Sequence, residues 1–213
     1  MLPRVTPINP KRLAAAFDHS DFIFELKMDG WRCVAYVEDD RCELVSRNRN
    51  TYKSFARLAK TLAGLPVKNA IIDAELVCLD QDGRSVFLDL MRKRKQDAVL
   101  YAFDLLWCDG EDLRSLPLVE RKRRLRQLVR GHAGLLYAEH VERRGVDLFH
   151  AVCQKDLEGV VAKHRDAPYV TTPATWFKIL NPDYSQKRGR QEMFENFRTK
   201  AEPAIRPLTA FEP

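Results

Sequence analysis

The chain has 213 residues, of which 45% are hydrophobic and 31% charged, a composition typical of a soluble globular protein with a sizeable core. No apolar stretch approaches the ~20 residues that a membrane-spanning helix needs, and the N-terminal residues lack the pattern of a signal peptide. These features argue against a membrane protein and predict a cytoplasmic location.

The net charge of +6 is concentrated in three basic clusters, at residues 92–95, 121–126 and 187–190. Such clusters neutralise phosphates in nucleic-acid-binding proteins, although solvated helix faces have the same appearance in a sequence. Three clusters in one chain favour a polyanionic partner. The five cysteines form no CxxC pair and the five histidines are scattered, so we expect reduced thiols and no cysteine or histidine metal site.

Hydrophobic periodicity predicts the secondary structure in chain order. Alternating or continuous apolar runs indicate strands, and the dipeptides Asp29-Gly30 and Asp39-Asp40 mark turns between the first three of them. Apolar residues at helical spacing indicate three helices, the second of which begins at Pro117. The predicted strands are residues 22–27, 31–37, 42–45, 70–79, 99–107, 159–163 and 175–180, and the other predicted helices are residues 54–65 and 146–155.

The order of these elements predicts the fold class and the domain organisation. The hairpin signals favour mainly antiparallel sheets with helices packed outside, which is the α+β class. The composition changes after about Ser185. Residues 1–185 are therefore predicted to form one domain, and residues 186–213 a basic C-terminal helix followed by a proline-containing tail.

Residues 27–32 carry the strongest chemical signal in the chain. Lys27 lies at the end of a predicted strand, and Asp29, Gly30 and Arg32 follow it within five positions. A glycine turn lets a ligand approach the backbone, and a lysine beside it can act as a covalent nucleophile. The amine must be uncharged to attack phosphorus, and nearby cations and partial burial favour that form. A surface lysine next to an ordinary turn is the simpler alternative.

The chain resembles the nucleotidyltransferase (adenylation) domain of ATP-dependent DNA ligases, and most closely that of bacterial end-joining ligases. The resemblance covers roughly residues 21–183 and rests on six motifs in the family's order. These motifs are residues 27–32 (KMDGWR, matching KxDGxR), 46–48 (SRN), 73–75 (DAE, matching DGE), 102–107 (AFDLLW, the adenine-stacking motif), 158–163 (EGVVAK, matching EGxxxK) and 176–180 (WFKIL, matching most of WxKxK).

The resemblance implies a reaction in which Lys27 attacks the α-phosphate of ATP, expels pyrophosphate and holds AMP as a phosphoramidate. The AMP then passes to the 5′-phosphate of nicked double-stranded DNA. By the same resemblance, Lys178 lies by the α-phosphate and helps to keep Lys27 uncharged, while Asp29 sets the geometry around the nucleophile. Arg32 and Arg47 hold the ribose and nick phosphates, since guanidinium groups suit phosphate.

The remaining implied roles concern the base and a divalent cation. Glu25 contacts the adenine amino group, and Phe103 stacks on the ring. Glu75 and Glu158 bind the sugar or a Mg²⁺ or Mn²⁺ ion, because hard divalent cations prefer carboxylate oxygens. Without the motifs, Phe103 reads as a core aromatic residue and the two glutamates read as ordinary exposed acids.

Two residues of the motifs are left outside the predicted site. Lys163 is expected to be a surface or DNA-contact lysine, because strand alternation counted from Glu158 points it to the opposite face. Trp176 is expected to be a packing residue rather than a base platform.

The sequence also departs from the family pattern. Leu180 replaces the second lysine of WxKxK, which removes a cation from the α-phosphate, and Lys187 is a candidate substitute; Ala74 replaces the glycine of DGE. Only 35 residues follow Lys178, too few for the OB-fold barrel that clamps DNA in these ligases. If the chain is complete, we expect a protein or domain partner to supply that function. An RNA ligase or capping-type relative and a catalytically weak or inactive binding module are the alternatives.

Overall fold

The computed structural model describes residues 1–91 and 97–187. Two of the three basic clusters noted in the sequence lie wholly or mostly outside the described residues. They are the cluster at residues 92–95 and residues 188–190 of the third cluster. The predicted C-terminal helix and the proline-containing tail also lie outside it, apart from residues 186 and 187.

Eleven strands and four α-helices form the described part of the chain. The strands are β1 (Lys11–Leu13), β2 (His19–Leu26), β3 (Trp31–Glu38), β4 (Arg41–Ser46), β5 (Asn69–Val77), β6 (Val99–Cys108), β7 (Glu111–Asp112), β8 (Leu135–Tyr137), β9 (His140–Arg143), β10 (Gly159–His164) and β11 (Trp176–Leu180). The helices are α1 (Ala56–Ala63), α2 (Phe87–Met91), α3 (Leu118–Val129) and α4 (Gly145–Gln154), with a 3-10 turn at Lys53–Phe55 before α1.

The strands form two sheets. Sheet A has five strands in the order β1-β11-β10-β2-β9, and all its pairs are antiparallel except β1 with β11. Sheet B has six strands in the order β4-β3-β5-β6-β7, with β8 pairing in parallel with β6. Residues 27–30 lead the chain directly from β2 of sheet A to β3 of sheet B, so the predicted nucleophile lies where the two sheets meet.

Apolar side chains from both sheets form the layer between them. Ile23 and Trp176 contribute from sheet A, and Val34, Ile71 and Phe103 contribute from sheet B. This layer follows from strand alternation, since successive side chains of a strand point to opposite faces.

The outer faces of the sheets are covered by helices. Leu58 and Leu62 of α1 and Leu125 of α3 pack on sheet B, and Val152 of α4 packs on sheet A. Burial of these apolar stripes is what stabilises such short helices, which are marginal in isolation.

The predicted α+β class is confirmed, and the seven strands and three helices predicted within residues 22–180 are present with shifted ends. The short strands β1, β7, β8 and β9 were not predicted, because two to four residues carry too little periodicity. In the described residues, no helix is long and apolar enough to cross a membrane. All five cysteines are free thiols, as predicted.

Candidate active site

The loop that carries Lys27 is held rigidly between the two sheets. The Lys27 N–H donates to the carbonyl of Gly159 over 2.9 Å, which ties the loop to β10. A side chain at Gly30 would place its Cβ 2.4 Å from the carbonyl oxygen of Leu76, so only glycine fits against β5. Gly30 therefore allows the backbone that leaves β2 to lie directly against the backbone of β5.

Asp29 turns inward and takes part in a buried network. Its N–H donates to the hydroxyl of Ser85 over 3.0 Å, and Tyr184 donates its hydroxyl to the Asp29 carboxylate over 3.3 Å. The Gln186 amide donates to the Ser85 carbonyl over 3.1 Å. The segment that follows β11 is thus hydrogen-bonded to the loop that carries Lys27, and Asp29 is held from two sides.

Lys27 and Glu158 form the centre of the site. The Lys27 ammonium donates to the Glu158 carboxylate over 2.7 Å, and Lys27 keeps 24% of its side chain exposed while Glu158 is buried. Glu158 precedes β10, where a Cβ on Gly159 would lie 2.2 Å from the carbonyl of Ile179. The glycine lets β10 approach β11 closely, and this approach places the glutamate beside the lysine.

Glu75 is the second carboxylate near the nucleophile. It lies on β5 opposite Arg32 of β3 and Tyr101 of β6. The pKa of Glu75 is raised to about 7, mainly by burial. The positive charges of Lys27 and Arg32 lower this pKa, and the negative charge of Glu158 raises it. The carboxylate is therefore near its titration point in neutral solution.

Lys178 lies on β11 on the same face as the nucleophile. The pKa of Lys178 is lowered, first by burial and then by the positive charges of Lys27 and Arg47. The negative charge of Glu158 acts in the opposite direction. Lys27, Lys178 and Glu158 therefore share one electrostatic environment. Leu180 follows two positions along β11, opposite Gly159, and provides no cation there. Lys187 is exposed beyond it.

A narrow pocket opens beside Lys27 between the two sheets. Phe103 reaches it from a bulge in β6, because Asp104 is opposite Asp73 while Ala102 is opposite Ala74, leaving Phe103 as the extra residue. The lining residues are Pro10, Glu25, Leu26, Lys27, Met28, Glu75, Tyr101, Phe103, Val161, Lys163 and Trp176. Two aromatic rings, Phe103 and Trp176, meet edge to face with centroids 5.8 Å apart.

Arg32 is held at the border of this pocket. Its guanidinium donates two hydrogen bonds of 2.6 Å to Asp73, and its carbon lies 4.7 Å from the Phe103 ring centre. Tyr169 donates a further hydrogen bond of 2.6 Å to the same aspartate. A bidentate pair of this kind fixes the guanidinium plane.

The floor of the pocket is a carboxylate between two ammonium groups. Glu25 is 2.5 Å from the Lys122 ammonium of α3 and 2.7 Å from the Lys163 ammonium of β10, and all three side chains are at most 3% exposed. Burial raises the pKa of Glu25, but the two lysines outweigh it and the net shift is downward. Lys163 also lies 4.2 Å from the Phe103 ring centre and 4.0 Å from that of Trp176.

The prediction that Lys163 is a surface or DNA-contact lysine is therefore wrong. Glu158 stands before β10, so alternation counted from it does not apply, and Val161 and Lys163 both face the pocket. The position of Lys163 within the EGxxxK motif was the signal that could have identified it. Trp176 is buried in the core as predicted, but its ring also lines the pocket.

The structure also changes the reading of the basic cluster at residues 121–126. Arg121 is fully buried and pairs with Asp104 through two hydrogen bonds of 2.8 Å, and Lys122 holds Glu25. Arg123 and Arg124 pair with Glu120, and Arg126 with Glu139. Each cation of the cluster therefore has a carboxylate partner within the fold, and two of the five are buried. Charge counting cannot reveal this, because the partners of Arg121 and Lys122 are distant in sequence.

Arg47 lies outside the pocket. It is exposed in the turn after β4 and lines a neighbouring groove with Arg4 and Arg49. The structure therefore brings together Glu25, Lys27, Glu75, Phe103, Glu158 and Lys178 with Arg32 at their border, and places Arg47 at the rim. In the described ranges no group of three or more histidine, cysteine or acidic side chains could hold a metal ion by itself.

Comparison with known proteins identifies the fold as that of ligase nucleotidyltransferase domains. A solved structure of mycobacterial DNA ligase D complexed with ATP and MES matches with a TM-score of 0.70 at 28% identity, covering 82% of this chain and 60% of that one. The ligase domain of LigD from M. tuberculosis matches with a TM-score of 0.69 at 27% identity, covering 81% and 58%.

The chain belongs to the family of ATP dependent DNA ligase domains, whose model matches residues 1–179. The multifunctional non-homologous end joining protein LigD of Pseudomonas aeruginosa is 34% identical over 167 residues, which are 75% of this chain and 20% of that protein. The DNA ligase of Aeropyrum pernix is 32% identical over 186 residues, 78% of this chain and 31% of that ligase. The chain thus spans a fifth to a third of the length of these two relatives.

Proposed function

We propose that residues 1–185 form an ATP-dependent adenylyltransferase domain that takes AMP onto Lys27 and passes it to the 5′-phosphate of nicked double-stranded DNA for sealing. The observation that carries this proposal is the placement of Lys27 at the mouth of an aromatic pocket, 2.7 Å from Glu158 and in the electrostatic field of Glu75 and Lys178.

The pocket beside Lys27 suits an adenine ring. Phe103 offers a ring face, and Glu25 at the floor offers acceptor oxygens for the exocyclic amino group. A buried carboxylate favours a base that donates a hydrogen bond from an amino group. It disfavours a base with a carbonyl at that position, because the carbonyl and carboxylate oxygens would repel each other. Lys122 and Lys163 keep Glu25 ionised and fixed for that role.

The first chemical step joins the Lys27 amine to the α-phosphorus of ATP. The amine loses a proton, the N–P bond forms, and the bond from the α-phosphorus to the bridging oxygen breaks to release pyrophosphate. Glu158 is the nearest carboxylate and is placed to accept the proton. Lys178 lies on the same face and is placed to offset negative charge on the α-phosphate in the transition state.

Glu75 and Glu158 would hold a Mg²⁺ or Mn²⁺ ion together with phosphate oxygens and water. Two carboxylates are too few for an all-protein site, but Mg²⁺ is ordinarily bound in this way when phosphate is present. The ion would supply charge neutralisation at the phosphates.

The experiment that tests the proposal uses ATP labelled on the α-phosphate, followed by a denaturing gel. We expect label on the wild-type protein with magnesium or manganese, and none on Lys27→Ala. Lys68→Ala, a change of an exposed cation in the loop before β5 that does not line the pocket, serves as the control and should be labelled. Failure of the wild-type protein to take label with either metal would refute the proposal.

Sealing and its partners are tested separately. Nicked DNA and then nicked RNA are added to the adenylated protein, and transfer of AMP to the 5′-phosphate is followed. A protein or domain that supplies OB-fold contacts with DNA is expected to raise the yield.

Leu180 favours a second candidate, a catalytically weak or inactive relative that binds nucleotide and DNA. Leu180 lies on β11 two residues after Lys178, where the resemblance implies a lysine directed at the α-phosphate. Leu180→Lys should accelerate labelling if this loss limits the rate. Unlabelled wild-type protein that still binds ATP would establish the binding module instead.

A further inference from the structure

The first ten residues of the chain connect the two sheets. The Leu2 N–H donates to the Glu38 carboxylate of β3 over 3.3 Å, and the segment then leads past Pro10 into β1 of sheet A. Leu2, Val5 and Ile8 are buried in the apolar layer that the sheets share, and Pro10 lines the pocket beside the nucleophile. We call these ten residues the N-terminal strap.

Two tyrosine hydroxyls accept hydrogen bonds from the backbone of the N-terminal strap. The Val5 N–H donates to the hydroxyl of Tyr36 over 3.1 Å, and the Ile8 N–H donates to the hydroxyl of Tyr169 over 3.2 Å. Tyr36 belongs to β3, and Tyr169 lies in the loop between β10 and β11. Both residues are 8% exposed. The two contacts are therefore matched in chemistry and in burial.

The two tyrosines differ in what lies beyond the strap contact. The Tyr169 hydroxyl donates to Oδ2 of Asp73 over 2.6 Å. The same oxygen accepts the Nη2–H of Arg32, and Oδ1 accepts the Nε–H of Arg32, both over 2.6 Å. In the part of the chain that the structure describes, Tyr36 forms no hydrogen bond with Asp73 or Arg32. Tyr169 therefore joins the N-terminal strap to the arginine at the pocket border.

The Tyr169 hydroxyl restricts the rotation of the Asp73 carboxylate. The terminal torsion of an aspartate is soft, so the partners of its oxygens decide the plane of the carboxylate. Tyr169 is itself fixed, because its N–H donates to the Arg114 carbonyl over 2.7 Å and its ring meets that of Trp176 edge to face at 5.8 Å. The guanidinium of Arg32 follows the carboxylate plane, since a bidentate pair is planar.

The guanidinium of Arg32 keeps donors for a ligand. It carries five N–H groups, of which Asp73 accepts two, and it makes no other hydrogen bond among the described residues. The Arg32 side chain is 16% exposed, and its guanidinium carbon lies 4.7 Å from the Phe103 ring centre and 5.7 Å from that of Trp176. Arg121 is the contrasting case, because it is fully buried and donates four hydrogen bonds within the fold.

We propose that Tyr169 is a positioning residue that sets the angle of the Arg32 guanidinium against the bound nucleotide, an inference that rests on the proposed function. The N-terminal strap takes part in this setting, because a hydroxyl that accepts the Ile8 N–H becomes a stronger donor to Asp73. Without the Tyr169 hydroxyl, the carboxylate and the guanidinium can turn together. The remaining donors of Arg32 then meet the nucleotide at a poorer angle, and the nucleotide binds more weakly.

The test compares Tyr169→Phe with Tyr36→Phe in the full chain. Each variant removes a buried hydroxyl that accepts a strap N–H, so both should melt at a lower temperature than the wild type. Only Tyr169→Phe should raise the KM for ATP in the labelling of Lys27, by about tenfold, the factor expected for loss of one hydrogen bond to a charged group. A smaller folded fraction lowers the labelled amount and leaves the KM unchanged, so the KM separates positioning from stability.

A second comparison repeats Tyr169→Phe in a protein that carries Arg32→Lys. Lysine keeps the charge but lacks the planar fork, so there is no guanidinium angle left to set. Tyr169→Phe should then raise the KM by less than about twofold, because two changes that act through one contact are not additive. A tenfold rise in both backgrounds would overturn the inference, and so would an unchanged KM in Tyr169→Phe or an equal rise in Tyr36→Phe.

Binding of AMP, followed by isothermal titration calorimetry, separates this inference from the proposed function. AMP presents the base, the ribose and one phosphate but has no pyrophosphate to lose to Lys27. Its Kd should rise about tenfold in Tyr169→Phe and stay at the wild-type value in Tyr36→Phe. This result in a protein that takes no label from ATP would refute adenylation and support the role of Tyr169. An unchanged Kd in Tyr169→Phe would overturn that role even if the wild-type protein is labelled.

Discussion

The substitution Lys122→Met tests how the pocket floor selects adenine. Methionine keeps most of the length of the side chain but removes the ammonium that lies 2.5 Å from Glu25 and 2.8 Å from the Ala138 carbonyl. Glu25 keeps Lys163 as a partner, but burial then raises its pKa with only one lysine in opposition. Glu25 becomes easier to protonate and less firmly placed as an acceptor.

The expected magnitudes follow from this geometry. Removing one partner of a buried ion pair costs about 3–5 kcal/mol, and the retained Lys163 puts the loss near the lower end, at about 3 kcal/mol. For a domain of this size that loss lowers the melting temperature by about 6–12 °C. A hydrogen bond to a charged acceptor contributes about 1.5–3 kcal/mol, so the preference for ATP over GTP in labelling Lys27 should fall at least about tenfold.

The assay compares initial rates of labelling by ATP and GTP, with thermal unfolding measured on the same preparations. Arg121→Met is the matched control, because Arg121 is the neighbouring buried cation of α3 and pairs with Asp104 outside the pocket lining. It should lose similar stability and keep the wild-type ratio of ATP to GTP. A wild-type ratio in Lys122→Met, or an equal change in both variants, would refute the role given to Glu25.

Three more predictions concern the same site. Glu158→Gln should slow labelling of Lys27 by one order of magnitude or more, because the carboxylate placed to accept the amine proton is lost; a wild-type labelling rate would contradict this. Gly159→Ala should lower the free energy of unfolding by about 1–3 kcal/mol, since its Cβ would lie 2.2 Å from the Ile179 carbonyl, as checked by urea unfolding. The third concerns pH: burial lowers the pKa of Lys163 from 10.5 to about 8, so its charged form is disfavoured in the folded state. The wild type should gain stability relative to Lys163→Met, by up to about 3 kcal/mol, as the pH rises from about 8 to about 10.5, and a flat difference over that range would contradict the assignment.

The sequence predicted the parts of the fold that local patterns determine. Long strands with strong periodicity, such as β5 and β6, and the Lys27 motif were predicted because their signals lie within a few residues. The buried contacts of Lys122 with Glu25 and of Arg32 with Asp73 were not, because they join residues 97 and 41 positions apart. The bulge that places Phe103 in the pocket could not be predicted from the sequence either, because it depends on the register between β5 and β6.

The errors at Lys163 and at residues 121–126 have different causes. Alternation counted from Glu158 put Lys163 on the wrong face, because Glu158 stands before β10. At residues 121–126 lysine and arginine were treated as solvent-seeking, which holds for most positions but fails when a carboxylate is buried nearby. A nearly continuous cation run, such as Arg121 to Arg126 with its single Leu125, gives no local indication of which members face inward.

Tyr184 and Gln186, in the segment after β11, donate hydrogen bonds to the Asp29 carboxylate and to the Ser85 carbonyl. A displacement of either side chain would therefore be passed to Asp29 or to the Ser85 carbonyl through these hydrogen bonds. The position of Lys27, two residues before Asp29, thus depends on the segment after β11 as well as on the two sheets that it joins.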